Sequence, residues 1–406
     1  MVETDRREER NSSMSDPTGI YDRDYILLNI SNFLYSLYGT IFIFMPPFLD
    51  SIGVTPAEIG FIMATGTLVS VTLKPLGGWL ADRKKKTFFI VAGAVIASLA
   101  TFPWYTVKSP SPILYLYRFF QGVGYSFFVT FTYAHIASHA PPQQRAEALG
   151  VFGLSFFVPT AIGVGLGELI LIRASFHTFF FIGATFALIS GFPALFIRDR
   201  AVEGGVKPSK LRELMGRGVA SHVFFSLLFG TTFGGIFTFL PVFLYKEGKE
   251  GIFLFILFYS LAVISTRTVW RKKVDSINKT VGAILSFSIL SSGATMLLFS
   301  RDLLVLIVAS LITGLGHGFL FPSLSALMVD EIGRENSGAS MALFTGAFDL
   351  GLVIGSALFG IILQFFGFDA LFLVCGLIPL LGVALLAIHR KKNPPLIAAR
   401  NGGNGI

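Results

Sequence analysis

Residues 338–365 read GASMALFTGAFDLGLVIGSALFGIILQF. Asp349 is the one ionisable side chain in this stretch, and the rest are apolar, small, hydroxyl-bearing or amide. An α-helix rises about 1.5 Å per residue, so roughly 20 such residues cross the ~30 Å of hydrocarbon in a bilayer. The stretch is long enough to span. A carboxyl group within it costs a few kcal/mol on insertion scales, which makes Asp349 a functional candidate by default.

Working outward, the same reading predicts helices at 25–49, 57–80, 87–106, 112–138, 146–171, 176–197, 217–245, 252–270, 281–300, 303–328, 338–365 and 369–389. Composition agrees: 53% of the 406 residues are hydrophobic and 14% charged, where a soluble protein is about a quarter charged. Forty-four Phe suit lipid-facing surface, and 43 Gly suit close helix approach. The single cysteine, Cys375, excludes an intramolecular disulfide.

Charge placement orients the chain. Connections after even-numbered spans, with the central segment, carry Arg83, Lys84, Lys85, Lys86, Arg145, six Lys/Arg from Arg198 to Arg217, Arg271, Lys272, Lys273, Lys279 and Arg334. The others carry Lys108, Arg173, Lys246, Lys249 and Arg301. This bias of sixteen to five places the first set and both termini in the cytoplasm, as expected for a multi-pass protein of the cell (inner) membrane. The net charge of +8 is thus topological and implies no nucleic-acid partner. Residues 1–23 have no apolar stretch and read as a disordered cytoplasmic tail rather than a cleavable leader.

The chain also repeats itself. Lys74 and Asp82 are matched by Arg267 and Asp275, Pro46 by Pro241, Gly122 by Gly314 and Gly163 by Gly355, at nearly constant spacing. The expected organisation is a tail (1–23), a six-helix bundle (24–197), a cytoplasmic linker (198–216), a second six-helix bundle (217–389) and a tail (390–406). The fold class is all-α membrane protein, with twelve transmembrane helices in two pseudo-symmetric bundles. Parallel repeats of this kind support alternating access around a site near the midplane.

Four stretches carry a resemblance. GWLADRKKKT (78–87) resembles the loop G-x-x-x-D-R-x-G-R-R of the major facilitator superfamily, with Gly78, Asp82, Arg83 and Lys86 matching and Lys85 in place of the second glycine. YRFFQGVGYS (117–126) is similar to its R-x-x-Q-G-x-G motif, PPQQRAEALG (141–150) to the loop before its fifth helix, and residues 314–351 to helices 10 and 11 of bacterial drug-efflux-like members. The resemblance implies the major facilitator fold, a conformational latch at Gly78, Asp82 and Arg83, and a proton-linked role for Arg118. Lys84 to Lys86 have a simpler reading as topology signals. The fifth-helix antiporter signature is imperfect, with Val158 before Pro159 and Gly163, Gly165 and Gly167 after it.

Depth sorts the intramembrane charges. Asp349 lies about 18 Å from the cytoplasmic start of its helix, His317 at similar depth, and Arg118 some 10 Å below the outer end of its own. The proton-coupling set is therefore Asp349, Arg118 and His317, a His having a reference pKa of ~6.5; Asp349 has the alternative of simply joining helices, and His317 that of a hydrogen bond to the substrate. Glu168 reads as interfacial, while Lys74, Arg267, His135 and His222 read as snorkelling toward headgroups. Asn32, Tyr35 and Gln121 are the expected substrate-cavity contacts. Phe44, Phe127, Phe128, Phe237 and Phe239 are aromatic candidates whose alternative is packing.

No nucleotide-binding G-x-x-x-x-G-K-[ST], metal cluster or nucleophile–base constellation occurs in the sequence, so neither an enzyme nor a cofactor is expected. The expectation is a monomeric, proton-coupled exporter of a small-molecule substrate in a lipid bilayer. Metabolite uptake and a non-transporting receptor are the alternatives.

Overall fold

The computed structural model describes residues 22–81, 83–139, 145–199, 217–248, 251–270, 278–333 and 336–392. The helices are α1 (Arg23–Gly39), α2 (Ile41–Ser51), α3 (Pro56–Ala81), α4 (Lys86–Thr101), α5 (Ile113–His139), α6 (Arg145–Arg173), α7 (Phe176–Ala194), α8 (Arg217–Lys246), α9 (Ile252–Thr268), α10 (Lys279–Met296), α11 (Leu303–Ile332) and α12 (Ser337–Lys392). Every predicted span falls on helix. By length and composition, eight described stretches are long and apolar enough to cross a membrane.

Local chemistry sets the ends. The Asp22 carboxylate accepts from the Tyr25 amide at 2.9 Å, Asn278 from Thr280 and Val281 at 3.1 and 3.3 Å, and Asp302 from Leu304 and Val305 at 2.8 and 3.2 Å. Each satisfies amides that have no partner within the helix. The predicted first span contains a break, because Thr40 turns its hydroxyl back onto the Leu37 carbonyl at 2.7 Å between α1 and α2. The last two predicted spans meet inside α12 at Gly367, whose φ of 80° is left-handed and open to glycine without a Cβ clash.

The internal repeat seen in sequence is also a repeat of contacts. Gly122 on α5 packs against the Gly66 carbonyl of α3, and Gly314 on α11 packs against the Tyr259 carbonyl of α9. Gly163 on α6 seats Thr40, and Gly355 on α12 seats the Thr231 carbonyl of α8. A missing side chain lets backbones approach where lipid supplies no hydrophobic drive between helices. At Gly355 a Cβ would also stand 3.0 Å from Gly234 Cα. Neither neighbour can yield, so Gly355→Val is expected to cost about 1–3 kcal/mol by overpacking. A lowered thermal-unfolding midpoint in detergent would show it.

Among the described residues, a set of contacts joins the halves at the end of the molecule away from the termini. There Lys246 pairs with Asp50 at 2.8 Å, the Ala57 amide donates to Gln364 at 3.2 Å, and Gly60 and Gly360 press α3 against α12. Glu168 on α6 accepts the amides of Gly251 and Phe253 at 3.3 and 3.0 Å. It thereby caps the start of α9 across the halves. Among the described residues, the hydrogen bonds and ion pairs joining the halves run from this end down to Lys74 and Asp349.

Candidate functional site

Below that closed end, α1, α2, α3, α5, α6, α8, α9, α11 and α12 enclose a cavity of about 390 Å³. Its volume is that of a small-molecule site. Arg118, Gln121, His317 and Asp349 all line it, so the structure brings together four residues that lie far apart in sequence.

Asp349 on α12 forms a direct ion pair with Lys74 on α3, and their side chains are 18% and 32% exposed. This corrects the reading of Lys74 as a residue that snorkels to headgroups. It projects between the halves because Gly66, Ser70 and Lys74 recur every four residues on the α3 face that meets the cavity and α12. Tyr125 on α5 lies within electrostatic reach of the same carboxylate.

Arg118 on α5 is 4% exposed. It donates through Nη2 to the Met63 carbonyl at 3.1 Å, through Nε to the Ile62 carbonyl at 3.4 Å, and through Nη1 to Gln121 Oε1 at 3.1 Å. Its guanidinium lies 4.7 Å over the Phe42 ring. Gly66 makes the room, since a Cβ there would stand 2.7 Å from Cζ. Gln121 is held in turn by donating to Thr101 Oγ1 at 2.9 Å, and the Thr101 hydroxyl reaches Tyr38 at 3.2 Å. Among the described residues no carboxylate pairs with Arg118.

His317 on α11 shares a 2.7 Å hydrogen bond between Nδ1 and the Tyr259 hydroxyl. Phe229 and Phe233 meet its ring edge-on and Phe321 stacks on it. Phe233, Phe237, Phe348 and Phe42 give the cavity an aromatic wall.

Other expectations are corrected. Asn32 and Tyr35 do not line the cavity. Both are buried in the first half, where Tyr35 stacks on Phe128 with centroids 3.7 Å apart. Their spacing showed a common face of the helix, and that face is turned into the bundle. Phe44, Phe128 and Phe239 are buried packing residues and Phe127 also lies off the cavity wall, leaving Phe237 as the one aromatic candidate that lines it. His135 and His222 are buried rather than snorkelling, His222 Nδ1 lying 2.9 Å from the Gly218 carbonyl. Asp199 takes up amides at the start of α4, accepting from Lys86 at 3.0 Å and Thr87 at 3.3 Å.

Of the expected latch, Asp82 lies outside the described residues. Arg83 is exposed and stays within its own half, donating to the Trp79 carbonyl at 3.2 Å with its guanidinium 4.4 Å over that ring. A Cβ on Gly78 would meet no atom within 4 Å.

The sequence pattern of the Major Facilitator Superfamily matches residues 28–290 and 256–405. The chain belongs to this superfamily. It is accordingly a multi-pass membrane transport protein and not an enzyme. Among its relatives, the staphylopine export protein of Staphylococcus aureus is 22% identical over 89% of this chain and 94% of its own. The MFS-type transporter MJ1560 of Methanocaldococcus jannaschii is 24% identical over 90% and 99%. Among solved structures, the nucleoside transporter NupG superposes with a TM-score of 0.76 at 13% identity, covering 90% of this chain and 98% of that one. A bacterial homologue of the human lysosomal transporter Spinster, in an inward-facing and occupied conformation, gives 0.72 at 12% identity over 90% and 96%. These two likenesses concern the superfamily fold alone.

Proposed function

We propose that this superfamily member is a secondary active exporter, moving a small organic solute by alternating access with protons as the coupling ion and Asp349 as their carrier. The ion pair between Lys74 in the first half and Asp349 in the second carries the reading. A proton on Asp349 removes one charge of a bond that spans the moving interface. Proton binding and the relative position of the halves are then thermodynamically linked, because protons favour whichever arrangement lacks the pair. His317 and Arg118 border the same space and set its field.

The charge bias supports cytoplasmic termini in a cell (inner) membrane; the closed end then faces away from the cytoplasm and the conformation is inward-facing. In this reading the Gly78, Asp82 and Arg83 latch engages in the opposite state, in keeping with Arg83 bound to its own helix here. The bundles at 24–197 and 217–389 are the moving bodies of a monomer, joined by 198–216. Export is supported by the relatedness to a staphylopine exporter.

Proteoliposomes of known orientation, loaded with the pH dye pyranine and screened with small organic solutes, test this. At least one solute is expected to drive protons opposite to its own movement. Protons moving with the solute would replace export by uptake symport, and solute flux indifferent to the pH gradient would remove the coupling.

A further inference from the structure

The charges around the cavity do not cancel. Lys74 and Asp349 neutralise each other, while Arg118 keeps a permanent positive charge with no acidic partner among the described residues. Its three described bonds use one N–H each on Nε, Nη1 and Nη2 and go to two backbone carbonyls and an amide oxygen, none of which carries charge. Two of the five guanidinium N–H groups are left for a ligand.

A second group points the same way. Ser70 is 4% exposed and lines the cavity, yet its hydroxyl has no hydrogen-bond partner. A buried hydroxyl without a partner is costly. Ser70 follows Gly66 by one turn of α3, and Gly66 is the residue on which the guanidinium rests, so the two donors share one wall.

We propose that the transported solute carries a single anionic group, a carboxylate or comparable oxyanion, which Arg118 and Ser70 receive while its apolar body lies against Phe233, Phe237 and Phe348. The inference rests on the cavity being the transport site and names the class of solute it takes. Charge-assisted hydrogen bonds to a guanidinium that is 4% exposed separate an acid from its uncharged isostere strongly, since the isostere leaves the guanidinium uncompensated.

Calorimetric titration of the purified full chain with benzoate, 2-naphthoate and 1-pyrenebutyrate, each against its primary amide, tests this. At least one acid is expected to bind about tenfold or more tighter than its amide. Arg118→Gln is expected to bring acid and amide within about threefold of each other, and Ser70→Ala to narrow the gap partway. The proposal is overturned if no acid of the series outbinds its amide tenfold in the wild-type protein, or if Arg118→Gln keeps the preference. Should Arg118→Gln fail to fold, the wild-type comparison and Ser70→Ala decide. An acid bound with this selectivity but never moved in liposomes would sink the transport reading and leave the anion site standing. Transport of amide and acid alike would do the reverse.

Discussion

Asp349→Asn is expected to leave a folded protein whose solute flux no longer responds to an imposed pH gradient, with gradient-driven accumulation falling to the passive level. The substitution keeps the shape of the side chain and removes both its charge and its proton. In the structure that charge is met by Lys74 from the other half, with the two side chains 18% and 32% exposed. Partial exposure puts the pair above a surface ion pair but below a fully buried one, about 1–2 kcal/mol. Losing it shifts the balance of the two arrangements by roughly 5- to 30-fold, away from the one described here. Lys74→Gln breaks the same bond but keeps the titrating carboxyl. It is expected to shift the balance similarly and to flatten the pH dependence of that balance, since the pair that links them is gone, while the remaining carboxyl still carries protons during solute flux. If Asp349 only held helices together, the two variants would behave alike in flux and in pH response. Flux against pH for both, and for the double variant, separates the two roles.

Gly60→Val is expected to force the closed end apart. A Cβ at Gly60 would run into the Ser356 carbonyl, 3.1 Å from its carbon and 3.3 Å from Ala357 Cα. All of these are backbone atoms of α12, so side-chain rotation offers no relief. Overpacking of this kind costs about 1–3 kcal/mol. Gly355→Val meets its obstruction inside one half and must be borne by the fold. The Gly60 contact lies between halves, so it can be relieved by moving them. The cost then becomes a population shift of about 5- to 150-fold. A cysteine introduced at Thr67, which lines the cavity, should become reactive to a membrane-impermeant maleimide from that side in the valine variant only. The native Cys375 is fully buried and contributes no background. Equal labelling in both backgrounds would show that the α3–α12 contact does not close the cavity.

How much could be read in the sequence depended on whether the signal was local. Helix positions were legible because hydrophobic length is a property of each stretch, and even the boundary between the last two spans falls at Gly367. Asp349, Arg118 and His317 were legible because ionised or polar groups in lipid are expensive wherever they point, and all three line one cavity. The partner of Asp349 was not. Lys74 lies 275 positions away on the other half, and a lysine near a helix end reads equally well as a snorkelling residue. Asn32 and Tyr35 were misplaced because spacing names a helix face without saying whether it meets the cavity or the bundle. Gly66 and Ser70 carried no signal at all, since a small residue becomes informative only once Arg118 is seen resting on it.

On the proposed mechanism the two halves rock about this cavity under the control of the proton on Asp349. Spin labels in a Cys375→Ser background, at Ser51 and Phe366 on the closed end and at Lys84 and Val269 on the other, sit at exposed positions on opposite halves. The double electron–electron resonance distance for Ser51 and Phe366 should lengthen on acidification while that for Lys84 and Val269 shortens, and Asp349→Asn should abolish both responses. Distances that ignore pH in the wild-type protein, or that still respond to it in Asp349→Asn, would contradict the account.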